Sequence, residues 1–190
     1  MLTRIFARIY GKLRVIKYKV LSTCENVKGK PLLTGPLLVQ GEGNIEFSKN
    51  VTIGVVTSAY FFSTYCYIEA RNPSASIFIG ENVYINNNAA IISENSKISI
   101  GNDTLIGTNF CALDSDFHGL APDKRMSGEQ ISKPIIIKNN VLIGANVTIL
   151  KGVTIGENSV IGSNSLVVKS IPSNVIAAGN PCKIIKEISS

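Results

Sequence analysis

The sequence has no tryptophan, two methionines and one histidine, His118. A single imidazole per chain rules out a catalytic zinc held by three histidines, so metal catalysis of that kind is not expected. Cysteine occurs only at Cys24, Cys66, Cys111 and Cys182, far apart and without a CxxC pair. That spacing excludes a zinc ribbon and points to small, mostly buried thiols in a reducing cytoplasm. No apolar run approaches the ~18 residues needed to span a bilayer. Arg4, Arg8, Lys12 and Arg14 also interrupt any signal-peptide core. Charged residues make up 17% of the chain against 45% hydrophobic ones, which excludes disorder. At 190 residues the chain is the size of one domain with a proper core.

Acidic residues are scarcest at the start. Residues 1–30 carry eight lysines and arginines against Glu25 alone, a net +7, while the whole chain carries +6. The other 160 residues therefore sum to about −1, so the basic character belongs to an arm. With no basic stripe on the body, nucleic acid is not an expected partner. The arm, MLTRIFARIYGKLRVIKYKVLST, reads as an amphipathic helix weakened at Gly11, with Leu2, Ile5, Phe6, Ile9, Leu13, Ile16 and Val20 on one face. Two settings suit it: an anionic membrane surface met by residues 1–22, or packing against the body or a neighbouring subunit.

What the sequence has in quantity is a period of six. Ile137, Ile143, Ile149, Ile155, Ile161 and Val167 fall on every sixth position, and Gly144, Gly156 and Gly162 directly follow three of them. Val141, Val147, Val153, Ser159 and Ser165 come four positions after the first five. Six matches neither the 3.6 of a helix nor the 2 of an ordinary strand; it is a signature of parallel β-helix coils. Each hexad supplies a short strand and a turn, and stacked coils together bury side chains that one repeat cannot. The small residues and glycines suit corners that need positive φ or close backbone approach.

The tetrads VTIG, IFIG, ISIG, IIIK and VTIG, marked by Ile53, Ile79, Ile100, Ile137 and Ile155, read as successive returns to one side. Their steps are 26, 21, 37 and 18, so against a coil of three hexads the excesses are 8, 3, 19 and 0. Surplus residues must leave the coil as loops, where sites concentrate. The excess of 8 carries Tyr60, Phe61, Phe62, Tyr65 and Tyr67, read as packing residues before sugar-stacking ones. The excess of 19 lies at about 112–134 and contains His118 beside Asp114 and Asp116. There a neutral imidazole can take a proton from a hydroxyl, with Asp116 or Asp114 holding its tautomer. The pattern is read as stopping after Ser170, leaving 171–190 to cap the last coil.

The repeat run and the segment DFHGLAPDKRMSGEQISKPIIIKNNVLIG resemble the hexapeptide-repeat acyltransferases, in particular their sugar O-acetyltransferase branch. The resemblance covers roughly residues 36–187 and implies an all-β, left-handed parallel β-helix. It gives an arm at 1–30 and an acyltransferase domain at 31–190 with a protruding loop and a C-terminal cap. It implies acetyl-CoA as cosubstrate, no metal, and a homotrimer with active sites between subunits. By position, His118 matches the general base; Asp116, from its place beside it in the loop, is expected as its catalytic partner. Asn88 (or Asn87) matches an asparagine that helps bind the acceptor, and Asp114 and Arg125 of the loop are expected to bind it too. Ala145 and Ser163 match the pantetheine groove, and Lys169, Lys183 and Lys186 match the residues near the CoA phosphates. A backbone N–H near Gly144 or Ala145 is the expected oxyanion donor. Leu142 stands where the family often has Trp, Val168 where it often has Thr, and Lys138 replaces a repeat glycine. The implied reaction is acetyl transfer to a hydroxyl of a sugar or lipid-linked oligosaccharide in bacterial surface-polysaccharide synthesis. Two other readings stand beside it: N-acetylation of a nucleotide-linked amino sugar, and a non-catalytic β-helix scaffold. The first usually comes with a nucleotide-sugar-binding domain ahead of the coils, for which the short arm leaves no room.

Overall fold

The computed structural model describes residues 2–188, with side chains from Ile5 onward. The expected contributions of the Leu2 and Arg4 side chains lie outside the described residues, as do the last two positions of the expected cap.

Three parallel sheets form the sides of a coil. The first stacks Val27–Lys28, Asn44–Phe47, Ser76–Ile79, Lys97–Ile100, Ile135–Ile137 and Thr154–Ile155. The second stacks Leu32–Leu33, Thr52–Ile53, Tyr84–Ile85, Leu105–Ile106, Leu142–Ile143 and Val160–Ile161, then Val175–Ala178 and Lys183–Glu187. The third stacks Leu37–Gln40, Cys66–Ala70, Ala90–Ser93, Cys111–Leu113, Thr148–Leu150 and Leu166–Val167. The chain visits the three in turn, so the expected parallel β-helix is present. Every sixth residue points inward. Ile137, Ile143, Ile149, Ile155, Ile161 and Val167 are all buried, with Val141, Val147 and Val153 beside them at the corners.

One marker in the sequence reading sits on the wrong side. Ile53 belongs to the second sheet and pairs with Ile85, whereas Ile79, Ile100, Ile137 and Ile155 share the first. The first-sheet partner of Ile79 is Phe47, which lies 32 residues earlier. This coil therefore carries 14 residues beyond 18, not 8. The same Val-Thr-Ile-Gly string serves two sides because both turn with an inward isoleucine followed by a glycine.

Positive φ falls mostly to asparagine rather than to the repeat glycines. Asn88, Asn109, Asn146 and Asn164 form one corner ladder, linked side chain to side chain at 2.6–2.9 Å. Asn140, Asn158 and Asn174 form a second ladder. Asparagine tolerates this region better than other residues with a Cβ. Gly144 and Gly156 answer to close approach instead: a Cβ would lie 2.6 Å from the Ser163 nitrogen and 2.2 Å from the Ser173 nitrogen.

The repeat also outlasts Ser170. Ile171 bridges Ile155, and Val175–Ala178 continues the second sheet in parallel before Lys183–Glu187 turns back antiparallel along it. The last segment thus covers a sheet edge, and Ile171, Val175, Ala177 and Cys182 add buried side chains to the end of the core. At the other end, Val27–Lys28 already pairs with Ile45–Glu46, so the first coil begins inside the stretch read as arm.

The N-terminal helix α1 (Leu2–Leu21) runs unbroken through Gly11. It packs on the body through Ala7, Gly11, Arg14 and Tyr18, not through its apolar stripe. The Arg14 guanidinium donates to the carbonyls of Phe61 and Thr64, and Tyr18 stacks on Tyr65 with centroids 4.4 Å apart.

Candidate active site

The longest excursion leaves the coil after Leu113 and returns at Ile135, at the corner between the third and first sheets. A bridge between Ser115 and Ser132, and a hydrogen bond from the Lys133 N–H to the Asp114 carbonyl at 2.8 Å, close its neck. Lys151, one coil on, ion-pairs with Asp116 and donates to the Ile131 carbonyl at 3.2 Å, so it ties both limbs together. At the tip Gly119 presses against Lys124, where a Cβ would lie 2.4 Å from the Lys124 oxygen.

His118 is exposed on this loop. Its Nδ1 lies 3.0 Å from the main-chain oxygen of Arg125. A carbonyl only accepts, so Nδ1 carries a proton, and in the neutral ring the lone pair is then on Nε2. That arrangement suits a general base. The tautomer is therefore held by a backbone oxygen, and neither expected carboxylate does it. Asp116 is taken by Lys151. Asp114 is wholly buried and accepts from the Ser93 hydroxyl and the Glu94 and Ser96 N–H groups at 2.7–3.0 Å, capping the preceding corner. A buried carboxylate so engaged holds the fold, and the acceptor role expected of Asp114 is corrected accordingly.

Beneath the loop lies a polar cluster. Arg71 makes a fork with Glu69 at 2.9 and 3.1 Å, reaches Glu94, and sits 5.0 Å from the centroid of the Phe117 ring. Glu69 and Glu94 hold the guanidinium charged, raising its pKa further. Gln130, on the returning limb, donates to Glu94 at 3.2 Å. The residue before His118 is thus clamped from below.

Asn88 is a corner residue. It has φ 63° and donates to Asn109 at 2.6 Å, so ladder formation explains its side chain without an acceptor. Asn87 is buried and clamps the 55–65 hook, accepting from the Val55 N–H and donating to the Val55 and Ala59 carbonyls at 2.8–3.0 Å. The asparagine that the sequence reading passed over is Asn86. It lines a depression of about 230 Å³ with Tyr84, Leu105, Gly107 and Leu142. Asn86 occupies the slot after the inward residue that is glycine at Gly54, Gly107, Gly144 and Gly162. That break in the glycine file is the signal that could have found it.

The five cofactor candidates divide between two corners. Ala145 and Ser163 stack at the corner after the second sheet, and Lys183 pairs there with Ala178, whose Cβ crowds Gly162. Lys186 lies three residues further along the same strand, opposite Ile176. Lys169 lies just past Val167, at the corner that carries the His118 loop. One chain does not bring all five together. Arg125 contributes its carbonyl to His118, and its side chain is exposed. The two expected oxyanion donors are engaged: the Gly144 N–H with Ile161 at 2.8 Å and the Ala145 N–H with the Ser163 hydroxyl at 3.1 Å. Among the described residues no three His, Cys, Asp or Glu side chains gather to hold a metal.

Residues 134–169 match the bacterial transferase hexapeptide family, as six repeats. Over 115 residues the chain is 47% identical to galactoside O-acetyltransferase of Escherichia coli K12, covering 60% of this chain and 56% of that protein. Over 185 residues it is 31% identical to the putative lipopolysaccharide biosynthesis O-acetyl transferase WbbJ of the same organism, covering 93% of this chain and 88% of that one. The chain belongs to the hexapeptide-repeat transferases. A solved hexapeptide transferase, galactoside acetyltransferase in complex with coenzyme A, superposes with a TM-score of 0.57 at 31% identity, over 97% of this chain and 82% of that one. The chain spans only 56–61% of the length of two galactoside O-acetyltransferases among its relatives.

Proposed function

We propose that the protein is an acetyl-CoA-dependent O-acetyltransferase acting on a sugar hydroxyl, with a left-handed coil as in the family it belongs to. The observation that carries this reading is the exposed His118 whose Nδ1 is tied to the Arg125 carbonyl, which leaves Nε2 of the neutral ring available as a base. In the proposed reaction Nε2 takes the proton of the sugar hydroxyl while that oxygen attacks the thioester carbonyl. The C–S bond then breaks, and the imidazolium returns the proton to the departing CoA thiolate.

The split of the cofactor candidates supports a groove between subunits. Ala145, Ser163, Lys183 and Lys186 of one chain would meet Lys169 and the His118 loop of the next, in a homotrimer. An exposed apolar row on the second sheet, Tyr84, Leu105 and Leu142, offers surface for a neighbour to cover. The lysines would supply point charges for the CoA phosphates. The acceptor is taken as a bacterial surface-polysaccharide precursor, on the strength of the nearly full-length match to the putative lipopolysaccharide biosynthesis O-acetyl transferase.

A thiol-release assay with acetyl-CoA tests the reading against free sugars, lipid-linked oligosaccharides and nucleotide-linked amino sugars. Acetyl esters on a sugar are expected. Turnover only with amino sugars would make the enzyme an N-acetyltransferase, and CoA release with none of them would leave a binding scaffold.

A further inference from the structure

The orientation of α1 is the opposite of what a packing helix adopts. At 3.6 residues per turn, Ile5, Phe6, Ile9, Leu13, Ile16 and Val20 occupy one arc about 100° wide. All six are 47–77% exposed. The arc lies opposite Ala7, Gly11, Arg14 and Tyr18, which face the body. The helix cannot roll to bury its stripe without giving up the Arg14 bonds to Phe61 and Thr64 and the Tyr18–Tyr65 stack. Its C-terminal end is held as well, by Gln40 donating to the Leu21 carbonyl at 3.0 Å and by the Ser22 hydroxyl accepting from the Val39 N–H at 3.0 Å. The scaffold thus fixes the apolar face outward.

Cations border the stripe on both sides. Arg8, Lys12 and Lys19 follow one edge and Lys17 the other, all exposed. Beside the first edge a cavity of about 740 Å³ opens between the helix and the hook, with Arg8 and Lys12 over Leu33, Val56 and Phe61. We propose that α1 docks the protein on an anionic lipid bilayer, apolar stripe downward, with the bordering cations on the phosphate groups. The adjoining cavity takes a hydrocarbon chain. A second copy of the helix is a poor occupant, because it would bring cations against cations. The remainder of the chain, at about −1, carries no large net negative charge to offset them. An anionic surface satisfies both the stripe and its borders, the pattern of an interfacial helix. This inference does not depend on the proposed reaction.

The test is co-sedimentation of the full chain with vesicles of phosphatidylglycerol or of phosphatidylcholine, at low and high salt. Binding is expected to phosphatidylglycerol and to weaken with salt. The double variants Ile9→Gln/Leu13→Gln and Lys12→Glu/Lys17→Glu are each expected to lose affinity by about tenfold or more. Both should keep wild-type circular dichroism and wild-type turnover on a water-soluble acceptor, which separates this test from that of the reaction. The proposal is overturned if the wild-type chain ignores anionic vesicles or if the substitutions leave binding unchanged. It is equally overturned if Ile9→Gln/Leu13→Gln lowers the mass in sedimentation equilibrium, because the stripe would then belong to a neighbouring copy.

Discussion

The Nδ1 of His118 and the main-chain oxygen of Arg125 lie 3.0 Å apart across a turn of the protruding loop, and that contact fixes which nitrogen can act as base. A backbone carbonyl has no charge to lose and no pKa to shift, so it orients the ring without taking part in proton transfer. The loop must hold its shape for the bond to persist. Lys151, Arg71 and Gly119 each contribute to that from a different side.

The first prediction separates the base from its expected carboxylate partner. His118→Ala should lower turnover by about 10²–10⁴ with folding intact, the usual loss of a general base. Asp116→Asn should cost less than about tenfold, because Asp116 reaches Lys151 and not the ring. Steady-state kinetics of the two variants decide it. A deficit in Asp116→Asn equal to that of His118→Ala would put the carboxylate back into the proton path.

Arg71 acts at one remove. Its guanidinium lies between Glu69 and Glu94, whose side chains are only 12% and 10% exposed, and against Phe117, next to His118. Arg71→Met leaves two mostly desolvated carboxylates without their shared cation. Because the arginine itself is partly exposed, the cost should be about 1–2 kcal/mol. Turnover should fall as the loop loosens, and trypsin should cut faster at Lys124 and Arg125. Arg71→Lys should restore little, since one ammonium cannot reproduce the fork or the ring contact. Unchanged tryptic cleavage would confine Arg71 to a local structural role.

The coil was legible in the sequence because its cause is periodic: one inward aliphatic residue per six shows in the letters themselves. The length of the loop around His118 was legible for the same reason, as a gap in a regular count. What held His118 was not, because a main-chain oxygen leaves no mark on residue identity. Asp116 and Asp114 were near in sequence, but Lys151 and the Ser93–Ser96 corner claim them through contacts 18 to 35 residues away. Ile53 misled because two corners use the same local chemistry. The stripe of α1 was visible, but the side it faces depends on Arg14 meeting two carbonyls about fifty residues on.

Asn88 gives a test of corner against acceptor. At φ 63°, alanine tolerates the left-handed region less well than asparagine and would also lose the bond to Asn109. Asn88→Ala should therefore destabilise by about 1–2 kcal/mol, while Asn88→Gly should lose only the side-chain bond, about 0.5–1 kcal/mol. Both should keep the wild-type KM for the acceptor. Asn86→Ala should instead raise that KM, since Asn86 faces the depression beside Tyr84 and Leu142. A raised KM in Asn88→Gly at normal stability would return the acceptor role to Asn88.

Two glycines should respond in opposite directions to the same added methyl group. At Gly11 a Cβ would lie 3.7 Å from the Phe61 ring, an ordinary contact, and the helix would gain a better helix former. Gly11→Ala should therefore stabilise by about 0.5–1 kcal/mol, raising Tm by about 1–4 °C. At Gly144 the Cβ would come 2.6 Å from both the nitrogen and the hydroxyl oxygen of Ser163, against backbone that the coil ladder holds in place. Gly144→Ala should destabilise by about 1–3 kcal/mol, since the strain of overpacking has no flexible neighbour to absorb it. It should also weaken CoA binding, because the methyl group stands on the ledge shared by Ala145 and Ser163. Thermal melts with and without CoA distinguish the two costs. A Gly144→Ala protein as stable as the wild type, and equally shifted by CoA, would mean that the coils can spread at this corner and that the ledge is not where the cosubstrate lies.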